Sequence, residues 1–159
     1  MTILQKLLPQ KASNDFKGSK IALYGMILFT ILMTCRSLIH LIFEDGGLNV
    51  IGNLIVLEKT ENGLDPNILV YAFAHAWGLA QLIVCLINIV VLFRYRNLIP
   101  LMYLFWIIEW GTRFLFSTFN SIPAEYYTSP PPGVVGAPFS TILLIVLFIF
   151  SLKQPNRTS

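Results

Sequence analysis

Seven polar side chains in or beside apolar stretches could carry chemistry: Arg36, His40, Glu44, His75, Gln81, Glu109 and Arg113. Arg36, His40 and Glu44 are spaced four apart, which on a helix puts them in one line. Glu109 and Arg113 have the same spacing and can pair with each other. An ionisable group at the centre of a bilayer costs ~2.5–3.5 kcal/mol, so such groups face a bundle interior and take partners. Two guanidiniums against the single carboxylate of Glu109 leave one positive charge over. A further acid, from Glu44, Asp45 or a ligand, would balance the set. The chemistry indicated is recognition of an anionic or strongly polar head group, such as a lipid phosphate or a quinone carbonyl. The alternative is structural: Arg36 bonded to Gln81 or a carbonyl, and Glu109 to Arg113, doing no more than fixing helix register.

Two sharper chemistries are conceivable and weaker. His40 and His75 could supply both axial ligands of a b-type haem, but their expected depths differ by several ångströms. His40, Glu44 and His75 could form a two-histidine, one-carboxylate metal site, a pattern that arises easily by chance. A hydrogen-bonded polar histidine is the plainer role for each, and the residues specify no metal and no cofactor. No phosphate-binding glycine loop or serine elbow is visible. Cys35 and Cys85 sit at depths that differ by roughly 10 Å at ~1.5 Å of rise per residue, beyond the ~7 Å between Cα atoms that a disulfide spans.

The elements that must position these residues are membrane helices. The chain has 159 residues, 55% hydrophobic and only 12% charged, with a mean hydropathy of +0.70. A soluble domain carries roughly twice that charge. Four apolar stretches, about 21–43, 68–93, 98–119 and 134–152, approach the ~20 residues that a spanning helix needs. The fourth is the shortest and opens near Gly136 and Pro138. The expected fold is all-α: a single integral domain over residues 1–159, built as a four-helix transmembrane bundle. No cleavable leader is evident, because the apolar run after the polar first twenty residues is too long for a signal core. Ile3, Leu4, Leu7 and Leu8 share one side of a short helix with Lys6 nearby, expected to lie in the membrane interface and to stop at Pro9.

Charge sorts by segment. Lys6, Lys11, Lys17 and Lys20 precede the first span, Arg94 and Arg96 link the second to the third, and Lys153 and Arg157 follow the fourth. The loop from Glu44 to Pro66 is acidic, with Lys59 its only cation, and the loop from Asn120 to Gly133 has one charge, Glu125. The positive-inside rule then predicts both termini in the cytoplasm of an inner (plasma) membrane protein. The basic pI of about 9.0 reflects anchoring at the inner leaflet and not nucleic-acid binding. By the same rule the acceptor sequence Asn156-Arg157-Thr158 falls on the cytoplasmic side, where it is not glycosylated.

Local signals complete the frame. Asp65-Pro66 reads as an N-cap with proline at the first helical position, Asn97 as a cap for the third span, and Pro130-Pro131-Pro132-Gly133 as a stiff approach to the fourth. The mostly apolar segment 48–57 should lie on the membrane or cover the outer end of the bundle. Ala74, Gly78, Gln81, Cys85 and Asn88 follow a four-three-four-three spacing, a seam of small and polar residues suited to close packing in lipid. Met102, Trp106, Glu109, Arg113 and Phe116 follow the same spacing on the third span. Counting rise places Gln81 and Glu109 near the midplane, with Arg36, Arg113, His75 and His40 stepping outward. The candidate ligand-binding set is therefore Arg36, His40, His75, Gln81, Glu109 and Arg113. Trp106, Trp110 and Phe114 read as packing or lipid contacts, and Tyr126 and Tyr127 as interfacial residues.

With four spans, a long first outer loop, the basic link Arg94 and Arg96, a late Arg113 in the third span and Arg36 followed by His40-Leu41 in the first, residues of about 20–152 resemble the DoxX-like superfamily of small bacterial membrane proteins. The resemblance implies a four-helix membrane protein from a functionally diverse group, some of whose members are linked to quinol oxidation or to accessory roles in respiratory complexes. It carries over no catalytic residue. The expected function is a binding or accessory one, an outward-facing polar pocket holding a lipid or quinone. The runner-up is a structural subunit docked on a larger membrane complex or homo-oligomer. An intramembrane oxidoreductase, or a transporter using Glu109, ranks behind these.

Overall fold

The computed structural model describes residues 2–153, and the acceptor sequence at Asn156 and the Arg157 cation lie outside them. Five α-helices follow in order: α1 (Ile3–Leu7), α2 (Lys20–Ile42), α3 (Pro66–Arg94), α4 (Ile99–Phe119) and α5 (Pro132–Leu152), with single 3-10 turns at Arg96–Leu98 and Ala124–Tyr126. The four long helices are each long and apolar enough to cross a membrane, and the chain is an all-α, multi-pass bundle. Large apolar side chains cover the outside of the bundle: Leu28 is 68% exposed, Phe73 68%, Phe93 76% and Phe139 71%. Such a surface needs hydrocarbon around it.

The helix bounds follow local chemistry. Asp65 accepts from the Asn67 N–H at 2.9 Å and Pro66 opens α3, as the sequence indicates. Ser19 caps α2 through the Ile21 N–H. The fourth span is full length and not short: Pro132, with its φ already helical, starts α5 two residues before the expected position, and Pro138 is taken into the helix. Asn97 does not cap α4. Leu98 stands at that position without a side-chain bond, and Asn97 instead accepts from the Ser13 N–H at 2.9 Å and donates to the Lys11 carbonyl at 2.8 Å.

Two antiparallel hairpins make the bundle. α2 pairs closely with α3 and α4 with α5; α2 also packs on α5, whereas α3 and α4 meet sparsely. The first hairpin closes on the small-residue seam, for Ala74, Gly78, Gln81, Cys85 and Asn88 are all buried. At Gly78 a β-carbon would stand 2.6 Å from His40 Cβ and 3.1 Å from the Ser37 carbonyl oxygen, so only glycine allows this approach. The matching seam on α4 holds at Met102 and Trp106, which are buried, and fails at Phe116, which is 60% exposed. The hairpins join through Tyr103, whose hydroxyl donates to the Ala22 carbonyl at 2.6 Å, and through Phe29, set edge-on to Trp106 and Trp110.

Both ends are tied. At the end bearing the termini, the segment after α1 forms a strap: Ser19 N–H donates to the Phe150 carbonyl at 3.1 Å and Lys6 Nζ to the Leu152 carbonyl at 2.5 Å. α1 buries none of its residues, and Ile3, Leu4 and Leu8 are well exposed. At the loop end, segment 48–57 covers the bundle. It is held by Tyr71 Oη donating to Asn49 Oδ1, by the Asn67 amide on the N–H and carbonyl of Leu57, and by an antiparallel bridge between Leu54 and Tyr127.

Candidate functional site

The bundle interior brings Arg36, Gln81, Glu109 and Arg113 into one connected chain. Arg36 Nη1 donates to Gln81 Oε1 at 3.4 Å, and the Ser37 hydroxyl reaches the same oxygen at 3.4 Å. Gln81 Nε2 donates to Glu109 Oε1 at 3.3 Å, and Arg113 Nη2 forms an ion pair with that same oxygen. The geometry follows from spacing: Gln81 sits on the buried seam of α3, and Glu109 and Arg113 lie one turn apart on α4. Side chains thereby bridge a pair of helices whose backbones scarcely meet.

Two tryptophans complete the arrangement. The Arg113 guanidinium lies 4.3 Å from the ring centroid of Trp77 and 5.0 Å from that of Trp110. Arg36 lies 5.4 Å and 5.7 Å from the same two rings. Indole faces attract cations by ~0.5–2 kcal/mol each, yet they supply no counter-charge. Trp110 is buried, while Trp77 is 42% exposed. Trp77 was not among the expected site residues, and Trp110 was read as packing. The available signal was helical spacing: Trp77 precedes Gln81 by four residues and Trp110 precedes Arg113 by three.

The histidines occupy the edge of this cluster. His40 stacks on Trp77, with ring centroids 5.9 Å apart and planes 9° from parallel. Its Nδ1 lies 2.7 Å from the Gly46 carbonyl, and His75 Nδ1 lies 2.8 Å from the His40 carbonyl. A carbonyl can only accept, so both imidazoles carry their proton on Nδ1. His75 thus ties α3 to the end of α2 and makes no hydrogen bond to the arginine chain.

Neither outer acid balances the arginines. α2 ends at Ile42, so Glu44 falls outside the helical line drawn through Arg36 and His40 and is exposed. The helix stops at Phe43, whose backbone is extended, ahead of a turn in which Gly46 and Gly47 take positive φ. Asp45 accepts from the N–H groups of Gly47, Asn49 and Val50 at 2.8–3.0 Å. Partial burial works against its charge, but those N–H groups outweigh burial and hold its carboxyl below the usual carboxylate range. Among the described residues Arg113–Glu109 and Lys17–Asp15 are the ion pairs, so Arg36 has no anionic partner there. Three buried atoms in the cluster also lack a hydrogen-bond partner: Glu109 Oε2, Trp110 Nε1 and Arg113 Nε.

Chemically the cluster is rich in donors and poor in acceptors. Its donors are fixed guanidiniums and an indole N–H, its one acceptor of protons is Glu109, and the nearby Ser37 hydroxyl is occupied by the Met33 carbonyl and Gln81. No group of three His, Cys, Asp or Glu side chains that could hold a metal ion occurs among the described residues. Cys35 is exposed, Cys85 is buried, and both are free thiols. No family model matches the chain, and neither a curated protein nor a solved structure matches it.

Proposed function

We propose that this membrane protein binds a small amphipathic molecule with an anionic or strongly polar head, such as a lipid phosphate or a quinone carbonyl, at the Arg36–Arg113 pair. The observation that carries the reading is the charge count: two guanidiniums, one carboxylate, and unpaired Arg113 Nε and Trp110 Nε1 between them. A head group would supply the missing acceptor oxygens, and charge-assisted bonds of this kind are about twice as strong as neutral ones. Room for the rest of the molecule lies one turn beyond Arg113, in a groove that neither arginine lines. This groove, of about 710 Å³ at the loop end, is lined by Phe116, Ser117, Pro131 and Val134 among others. Phe116 and Ser117 follow Arg113 by one turn, and a β-carbon on Gly133 would stand 3.6 Å from Arg36 Nη2.

In this reading both termini face the cytoplasm of the inner membrane, since the strap and the Arg94–Arg96 link bear the cations. The likeness to the DoxX-like superfamily agrees with the four-span topology and adds no residue to the site. One observation favours a second reading, an accessory subunit of a larger membrane complex: Trp77 stays 42% exposed beside a sparse α3–α4 contact, where a partner helix could seat.

Native mass spectrometry of the gently solubilised protein separates the two. A defined non-protein mass retained by the wild type and lost on Arg113→Gln or Arg36→Gln supports the ligand site and gives its class. A bare chain, or a self-oligomer unaltered by both substitutions, refutes it in favour of docking.

A further inference from the structure

The strap at the termini end borders a second, separate cavity that is open to its surroundings. It measures about 220 Å³ and is lined by Lys6, Lys11 and Lys17 with Asp15 as the opposing acid. At ~30 Å³ per water that is room for about seven waters. The walls are built, not incidental. Asn97 holds the strap by the Ser13 N–H and the Lys11 carbonyl, and Gly18 presses so close to α5 that a β-carbon would stand 2.4 Å from the Ser151 carbonyl oxygen. Lys6 gives one donor to the Leu152 carbonyl and keeps two of the three an ammonium has. Asp15 is engaged by Lys17 at 3.6 Å.

Beside this basic cup, α1 and its C-cap hold Ile3 at 64%, Leu4 at 66% and Leu8 at 57% exposure. A helix with such a face lies in the membrane interface, its apolar side at the acyl boundary. A cationic cup next to an acyl-seeking face matches one kind of molecule. We propose that the strap and the inner end of the bundle form a binding site for the head group of an anionic phospholipid, its phosphate among Lys6, Lys11 and Lys17 and its chains along Ile3, Leu4 and Leu8. The site is independent of the arginine pair.

The test uses the full chain in mixed micelles, with native mass spectra recorded against phosphatidylglycerol and phosphatidylcholine of the same acyl length. The wild type retains one phosphatidylglycerol in preference to phosphatidylcholine. Lys11→Gln with Lys17→Gln, two exposed positions that leave Lys6 at the end of α5, weakens that retention by about 30-fold, from about fivefold for each of the two cations removed. Arg113→Gln keeps this lipid, which separates the cup from the arginine site. Equal retention of the two lipids by the wild type overturns the proposal, as does unchanged retention by the double variant. Displacement by glycerol phosphate at the same concentration as the lipid would overturn the lipid assignment in favour of a free phosphate.

Discussion

Two glycines in the bundle should answer the same substitution with opposite signs. Gly78 stands where α3 crosses α2, and a β-carbon there meets His40 Cβ at 2.6 Å, inside any normal contact, with the Ser37 carbonyl oxygen and His40 carbonyl carbon at 3.1 and 3.2 Å. The obstacle is a Cβ and backbone, not the tip of a flexible chain, so α2 and α3 must part. Overpacking of this kind costs about 1–3 kcal/mol, against a gain of roughly 0.5–1 kcal/mol for alanine over glycine inside a helix. Gly78→Ala should therefore destabilise by about 1–2 kcal/mol, which lowers Tm by about 2–8 °C for a chain of this size. Gly136 lies in α5 with nothing within 4 Å of its virtual β-carbon. Gly136→Ala keeps the helix gain alone and should raise Tm by a few degrees at about 2–4 °C per kcal/mol. Thermal unfolding in detergent, followed by a thiol-reactive fluorophore, reads both. Cys35 lies on the outer, hydrocarbon-facing surface of α2 and is replaced by serine for the assay, so that Cys85, buried on the Gly78 face of α3, alone reports opening. If Gly78→Ala matches the wild type in Tm and in Cys85 labelling, the close helix crossing is refuted.

Further expectations concern the charged and tethered parts. Glu109→Gln leaves two guanidiniums without a carboxylate; since Glu109 is 32% exposed, the loss should be about 1–3 kcal/mol, below the ~3–5 kcal/mol of a fully buried pair. Adding Arg113→Gln should recover part of it in a double-mutant cycle, and strict additivity would show that the pair does not interact. The Asp45 carboxyl has a lowered pKa in the folded chain, so its stabilisation is full above the unfolded value near ~3.9 and is lost as pH falls through the folded value. Hydrogen-exchange protection factors at Gly47, Asn49 and Val50, corrected for the intrinsic rate, should fall in that acid window, and Asp45→Asn should abolish that fall. Asn97→Ala removes two hydrogen bonds to the strap, worth about 0.5–1.5 kcal/mol each. Cleavage by trypsin at Lys11 or Lys17 should rise by about tenfold, and an unchanged rate would mean that the strap is held elsewhere.

The parts of the fold that the sequence foretold are those decided by long, summed signals. Spans emerge because twenty apolar residues outweigh any local detail, and the α3 seam emerges because alternating small residues allow a single close face. The parts it missed turn on competition between partners. Asn97 has the chemistry of a cap, but the strap offers its amide both a donor and an acceptor, and a local rule cannot see a segment 84 residues away. The α4 seam breaks at Phe116 because α4 packs chiefly on α5, so its buried face is set by a neighbour other than the one the polar residues address. Glu44 drops out of line because the backbone turns extended at Phe43 and the helix ends at Ile42. Within the candidate site, the arginines, Gln81 and Glu109 were legible because charge in an apolar run has few alternatives. Trp77 was not, because an indole among leucines looks the same whether it faces lipid or a guanidinium.

The sparse α3–α4 contact has a kinetic consequence. The hairpins are fastened at the strap and again at the Leu54–Tyr127 bridge, so under the proposed ligand reading a molecule would reach the arginines laterally, with neither end opened. A compound dissolved in the bilayer would then arrive by diffusion in two dimensions, from a solvent that already concentrates it. Its occupancy would follow its mole fraction in the membrane instead of its concentration in water.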